Sequence, residues 1–223
     1  MSKKETLCRY GVFLVGLAVM ALAVAVMSKA ALGISPVQSV CYVIHRKFPE
    51  KITFGTLIFI WNFILVIAQF PFLKKSFGWK NIVQIPLSFF LSFMVDMISY
   101  GLVWLEPKGY GARVITMLCG IVILAFSISI TVSAKAVMNP GEAFVAVLAK
   151  ALSQPFGKIK AIFDISIISV AIILTVALFG QWRTDIVGVG TLAAALFTGA
   201  LVGLMNKRVE CAVEKICTGG KVK

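Results

Sequence analysis

"GISPVQSVCYVI", Gly33–Ile44, interrupts a hydrophobic chain, and "VMNPGEAFVAVL", Val137–Leu148, interrupts it again about a hundred residues later. Each stretch follows an apolar run. Each sets a small polar residue before a proline and an amide or carboxylate two residues beyond it: Ser35-Pro36 then Gln38, and Asn139-Pro140 then Glu142. Proline suits the first turn of a helix, where its missing N–H is one that would lack an intrahelical partner, and Ser and Asn are favoured just before it. Both breaks therefore read as helix starts. The helices that follow, 36–46 and 140–152, are about 15 to 18 Å long, roughly half of the ~30 Å hydrocarbon thickness. They are half-helices. If re-entrant, their positive ends point inward from opposite faces and suit an anion or a polar group. Val37, Val40, Cys41 and Ile44 also have the spacing of a helix lying flat in the interface. Sequence does not separate the two arrangements.

The surroundings of the breaks set the class. Of 223 residues, 60% are hydrophobic and 14% charged, and the mean hydropathy is +0.97. A soluble domain is about 45 to 50% apolar and 25% charged. The chain reads as all-α and polytopic, with the lipid bilayer as its solvent. The net charge of +13 does not point to nucleic acid, because the cations sit in short clusters between apolar runs, with no basic stripe or stacking aromatics. Six segments are long enough to span: Tyr10–Ser28, Ile52–Phe72, Ile82–Leu105, Val114–Ala134, Ala161–Gly180 and Asp185–Met205. With the N-terminus inside, fifteen lysines and arginines fall on the cytoplasmic side and seven on the other, so both termini are expected in the cytoplasm. The first apolar run is longer than a signal-peptide core and five more spans follow, which argues against cleavage.

The two halves repeat. With Pro36 set against Pro140, Ser35 meets Asn139 and Gln38 meets Glu142. After a slip of two places, Phe54-Gly55 meets Phe156-Gly157 and Asn62 meets Asp164, and Trp79-Lys80 meets Trp182-Arg183 further on. The chain divides into a cytoplasmic N-terminus (1–9), repeat 1 (10–105), repeat 2 (113–206) and a basic cytoplasmic tail (207–223). Three spans per half is an odd number, so the second repeat enters from the opposite side. Inverted repeats are the usual build of secondary transporters, with the substrate site where the halves meet.

Ionisable and amide side chains inside a span are costly and are read first as functional. Asp96 lies within the third span, on a face with Gln84, Ser88, Ser92 and then Ser99 or Tyr100. At the two related pairs, Gln38/Glu142 and Asn62/Asp164, one half carries the amide and the other the acid, so a pseudo-symmetric site keeps its shape while one half titrates. The candidate substrate or ion pathway is thus Ser35, Pro36, Gln38, Asn62, Ser92, Asp96, Asn139, Pro140, Glu142 and Asp164. The competing reading of Asp96, Asn62 and Asp164 is hydrogen bonding between helices. Ser127, Thr131 and Lys135 lead into the second break, and Lys135 reads as a lysine reaching the interface. Gly199 and Gly203 form a small-residue stripe that sets helix packing within the chain or in a homodimer. The five cysteines lack metal or CxxC spacing, His45 reads as an interfacial residue, and no catalytic motif appears, so neither metal nor cofactor nor enzyme activity is expected.

"ALGISPVQ" (31–38), "FGTLIFIWN" (54–62) and the polar third span give the chain a resemblance to bacterial YczE/YitT-type integral membrane proteins. That resemblance implies a bacterial cytoplasmic membrane and no particular substrate. The Asn-Pro-Gly break is also analogous in design to the Asn-Pro-Ala half-helices of aquaporins, though here it occurs once and follows the first span. The expected function is a small transporter or permease for a polar or ionic substrate, with coupling to protons or cations. The alternatives are a substrate-binding subunit of a vitamin-uptake transporter and a membrane scaffold, biogenesis or regulatory protein without transport.

Overall fold

In hydrocarbon every backbone N–H and C=O must be paired within its own segment, so long apolar runs become helices. The computed structural model describes residues 3–74 and 77–218, and among these there is no strand. The helices are α1 (Lys3–Ala30), α2 (Pro36–Lys47), α3 (Phe54–Ala68), α4 (Phe70–Leu73), α5 (Trp79–Gly101), α6 (Gly109–Ser133), α7 (Pro140–Ala151), α8 (Phe156–Phe179) and α9 (Val189–Thr218). Six are long and apolar enough to cross a membrane, with α3 and α4 acting as one. This is a multi-pass membrane protein. The order long, short, long, long occurs twice, with α2 and α7 as the short members.

Several spans have different ends from those expected, each for a local reason. The sixth does not begin at Asp185, whose carboxylate is held by Arg183 at 2.9 Å and Arg46 at 3.2 Å in the preceding loop. It runs on past Met205 because Glu210 and Glu214 take Lys135 at 2.7 and 2.9 Å and Val213 is buried. The basic tail is thus helical as far as Thr218. The N-terminal segment is also helical from Lys3: Arg9 pairs with Glu5 one turn earlier at 3.0 Å and donates to the Ala134 carbonyl at 3.3 Å. The fifth span begins at Phe156 despite Lys158 and Lys160, since Asp164 neutralises Lys160 one turn on. Lys75, Lys221 and Lys223, counted among the cytoplasmic cations, lie outside the described residues. The start of α1 and the end of α9 share one face, called here the terminal face.

α1 and α6 pack antiparallel at the centre. A Cβ on Gly16 would stand 2.7 Å from the Thr131 methyl, and one on Gly120 would stand 2.4 Å from Met27 Cγ. These glycines let the two first spans approach closely. α5 then flanks α1 as α9 flanks α6, and each half-helix packs on the second span of the other half, α2 on α8 and α7 on α3. The halves are related by a pseudo-two-fold.

One contact breaks that symmetry. α5 lies tightly on α3, where a Cβ on Gly55 would meet the Ser92 carbonyl at 2.2 Å, but α9 scarcely touches α8. Gly157 and Gly199 occupy the corresponding places, and nothing lies within 4 Å of a Cβ at either. Gly203 is equally open. Among the described residues the Gly199–Gly203 stripe therefore sets no packing, because α9 leans onto α6 and turns the stripe outward.

Candidate functional site

The two half-helices point their first turns at each other. Thr131, near the end of α6, is level with Gly16 of α1. The chain then turns back, and Asn139 Nδ2 donates to Met20 Sδ at 2.9 Å, four residues or about 6 Å deeper along α1. Lys135 makes this turn with φ of +51°. α7 runs outward again from Pro140, and Phe144 packs against Phe72 and Phe163 near the terminal face. α2 does the same from the other side: it starts inside at Pro36 and ends with His45 stacked on Phe54 and Arg46 bound to Asp185. At the meeting point a Cβ on Gly141 would stand 3.2 Å from Val37 Cγ1 and 4.0 Å from Leu65. The buried residues Pro36, Gln38, Ser39 and Val43 also exclude a helix lying flat on a surface. Of the two arrangements open to the sequence, the chain adopts the re-entrant one.

Ser35 and Asn139 hold the N-cap positions expected of them, yet neither side chain caps. The Asn139 amide is taken by Met20. The N-cap carbonyls instead accept first-turn bonds, from Gln38 N at 3.1 Å and from Ala143 N at 2.8 Å.

The pseudo-equivalent crevices beside the two tips differ. On the face opposite the termini, Gly33 takes φ of +112°, and a Cβ there would fall 2.2 Å from Thr191 Oγ1. Only glycine fits so close a crossing at that dihedral. Ile34 N donates to Thr191 Oγ1 at 3.1 Å and Gly190 N to the Leu32 carbonyl at 2.9 Å, which seals the α1–α2 loop onto the first turn of α9. At the matching place on the terminal side, the α6–α7 loop and the start of α5 both line an open space. The space between them is a cavity of about 840 Å³, reached by Asn139, Glu142, Gln69, Asn81 and Gln84.

The amides in this cavity bond to one another. Gln69 is fully buried; its Nε2 donates to Gln84 Oε1 at 3.0 Å, and its Oε1 accepts from Asn81 Nδ2 at 2.9 Å. Across from them Glu142 is half-buried and makes no hydrogen bond or ion pair among the described residues; its electrostatic neighbours are Lys160 and Asp164. Lys160 and Asp164 form an i,i+4 ion pair with the carboxylate buried. Two carboxylates and one ammonium thus face each other across α7 and α8.

The other candidates fall in different places. Asn62 is buried on the inward stripe of α3 that also carries Leu65 and Gln69, and like Asp164 it lies eight residues into its helix. Gln38 Oε1 and Ser92 Oγ are buried without a hydrogen-bond partner among the described residues. Asp96 stands apart from the tips: it accepts from Gly55 N and from Thr53 Oγ1, both at 2.6 Å, at the start of α3. Seven residues, or about 10 Å, separate Gly55 from Asn62 along that helix. Asp96 binds the exposed amide end of α3, where a carboxylate is electrostatically favoured. Its helix face is polar and inward at Gln84, Ser88 and Ser92, but by Asp96 it has reached the membrane edge. Lys135 lines the cavity and is paired with Glu210 and Glu214, not with Glu142.

A family model covers residues 7–207, nearly the whole chain: a family of unknown function, DUF6198. The chain belongs to DUF6198. No curated protein and no solved structure matches it. For this DUF6198 member, then, the site is argued from its own geometry.

Sequence reasoning passed over three residues of the site, Gln69, Asn81 and Lys160. Gln69 follows Asn62 by seven positions, the i,i+7 spacing of one helical face, and that spacing was the available signal. Lys160, one turn before Asp164, is the partner of that carboxylate in this DUF6198 protein. The five cysteines are free, and His45 sits at a helix end with Nδ1 3.1 Å from the Ile52 carbonyl.

Proposed function

We propose that this protein is a small-solute permease working by alternating access, with its substrate site where the tips of α2 and α7 meet. The observation that carries the reading is the inequality of two pseudo-equivalent crevices: the one at Gly33 and Thr191 is sealed, and the one at Asn139 and Gln84 is open as an 840 Å³ cavity. In inverted-repeat transporters, exchanging the conformations of the two halves exchanges which crevice is open. The converging helix ends offer unpaired N–H groups to a polar or ionic solute. Glu142, with Asp164 and Lys160 beside it, is the group through which a proton or cation is coupled to movement.

The same reading puts the protein in the bacterial cytoplasmic membrane with the terminal face inside, supported by the fifteen-to-seven bias of cations. It keeps the kinship to YczE/YitT-type proteins drawn from "ALGISPVQ" and "FGTLIFIWN". Pairing of two copies through Gly199 and Gly203 belongs to it as well, because none of the described residues fills that stripe.

The test is flux into proteoliposomes, screened with small carboxylates, amines and sugars under an imposed pH gradient. The expected result is saturable uptake of one class, lost in Glu142→Gln with the fold retained. A cysteine at Thr191 should be shielded from a membrane-impermeant thiol reagent at rest and react during turnover. No flux for any solute, together with a Thr191 position that never becomes reactive, would leave a membrane scaffold as the better account.

A further inference from the structure

A second cavity, of about 560 Å³, lies on the face opposite the termini, at the junction of the α1 end, the α2 end and the segment joining the two repeats. Four cations line it, Lys29, Arg46, Lys108 and Arg113, with Glu106 the one carboxylate among its lining residues. Of the four, Arg46 alone has an ion pair among the described residues, and its partner Asp185 is shared with Arg183. Lys29, Lys108 and Arg113 have none, and neither has Glu106. Mutual repulsion among uncommitted cations is relieved by a bound anion.

The floor of this basin adds to the same field. α6 starts at Gly109, and its N-cap Lys108 makes no side-chain cap bond, so the first-turn N–H groups beside the cavity are without an intrahelical partner. Below it, Tyr42 Oη donates to the Ser28 carbonyl at 2.9 Å, and Tyr42 is buried under the Arg46 guanidinium.

We infer that the basin of Lys29, Arg46, Lys108 and Arg113 is an anion-binding site that takes a phosphate group, as free phosphate or as the headgroup of a lipid. Arg113 supplies planar bidentate donors, the lysines supply point charge, and the α6 amides supply backbone donors. Binding there requires no transport, so it stands or falls apart from the permease reading.

The experiment uses the full-length protein in a neutral detergent, with inorganic phosphate titrated by calorimetry. Lipid retention is measured in parallel by native mass spectrometry from nanodiscs of phosphatidylglycerol and phosphatidylcholine. The double variant Lys108→Gln/Arg113→Gln is compared with a control of equal charge loss, Lys207→Gln/Lys215→Gln on the terminal face, both first checked for monodispersity and melting temperature. The expected result is phosphate binding weakened at least tenfold in the basin variant and unchanged in the control. Phosphatidylglycerol retention lost in the basin variant, without binding of free phosphate, assigns the site to a lipid headgroup. Absence of both forms of binding, or equal binding by wild type and basin variant, or equal loss in the control, overturns the inference.

Discussion

A Cβ placed on Gly141 at the tip of α7 would stand 3.2 Å from Cγ1 of Val37 at the tip of α2. Two residues more than a hundred positions apart thus bring two half-helices, entered from opposite faces, to one point. Each tip carries N–H groups with no intrahelical partner and a partial positive charge, so their meeting has meaning only if something polar is held beside them.

Gly141→Leu is expected to force the tips apart. Overpacking of this kind costs about 1 to 3 kcal/mol, so the melting temperature in detergent should fall clearly. Gly141→Ala needs Val37 to yield by only a few tenths of an ångström and should melt close to wild type. Equal melting of the Leu variant would mean that the tips do not touch in the membrane protein.

Asp96 should prove to be a positioning residue for α3 and not part of the solute path. Asp96→Ala removes the acceptor of Gly55 N and Thr53 Oγ1, and a carboxylate at a partly buried helix N-terminus contributes up to about 2 kcal/mol. The variant should unfold earlier while keeping the substrate affinity of whatever solute is found. A changed affinity with unchanged stability would return Asp96 to the pathway.

Lys160 and Asp164 are expected to behave as one unit. Lys160 is partly exposed and Asp164 buried, so removing the lysine leaves a buried carboxylate without its partner, at a cost of about 1 to 3 kcal/mol. Lys160→Met should therefore be destabilising, and Lys160→Met/Asp164→Asn should recover much of the loss in a double-mutant cycle. Additive losses would show that the two side chains act independently.

The Arg183–Asp185–Arg46 clamp ties the α8–α9 loop to the end of α2. Hydrogen bonding from the Arg183 guanidinium, with Arg46 nearby, holds the Asp185 carboxyl below the usual aspartate value of about 3.9. The sign follows: a depressed folded-state pKa gives stabilisation that is complete above the unfolded value and is lost as pH falls through the folded one. Amide exchange in residues 180–188, corrected for intrinsic rate, should therefore stay protected from neutral pH down to the ordinary aspartate range and open only below it. In Asp185→Asn the protection should be weak at every pH. Opening near pH 6 in the wild type would contradict the clamp.

Much of this molecule is a local property of its sequence. Long apolar runs can only be helices in hydrocarbon, and a proline after Ser35 or Asn139 starts a helix wherever the chain is placed. The six spans, the two short helices between them and the repeated order followed from those local rules. What could not follow was any relation set by packing. The contact of Gly141 with Val37 depends on α1 and α6 approaching at Gly16 and Gly120, and Asp96 serves α3 and not the tips because α5 meets that helix near its start. Hydrophobic periodicity tells which face of a helix turns inward and says nothing about which depth of which neighbour it will meet. The sealed crevice at Gly33 and the open one at Asn139 come from similar sequences. Only the tertiary structure decided between them, through one glycine crossing beneath Thr191 on one side and a cavity between the α6–α7 loop and the start of α5 on the other.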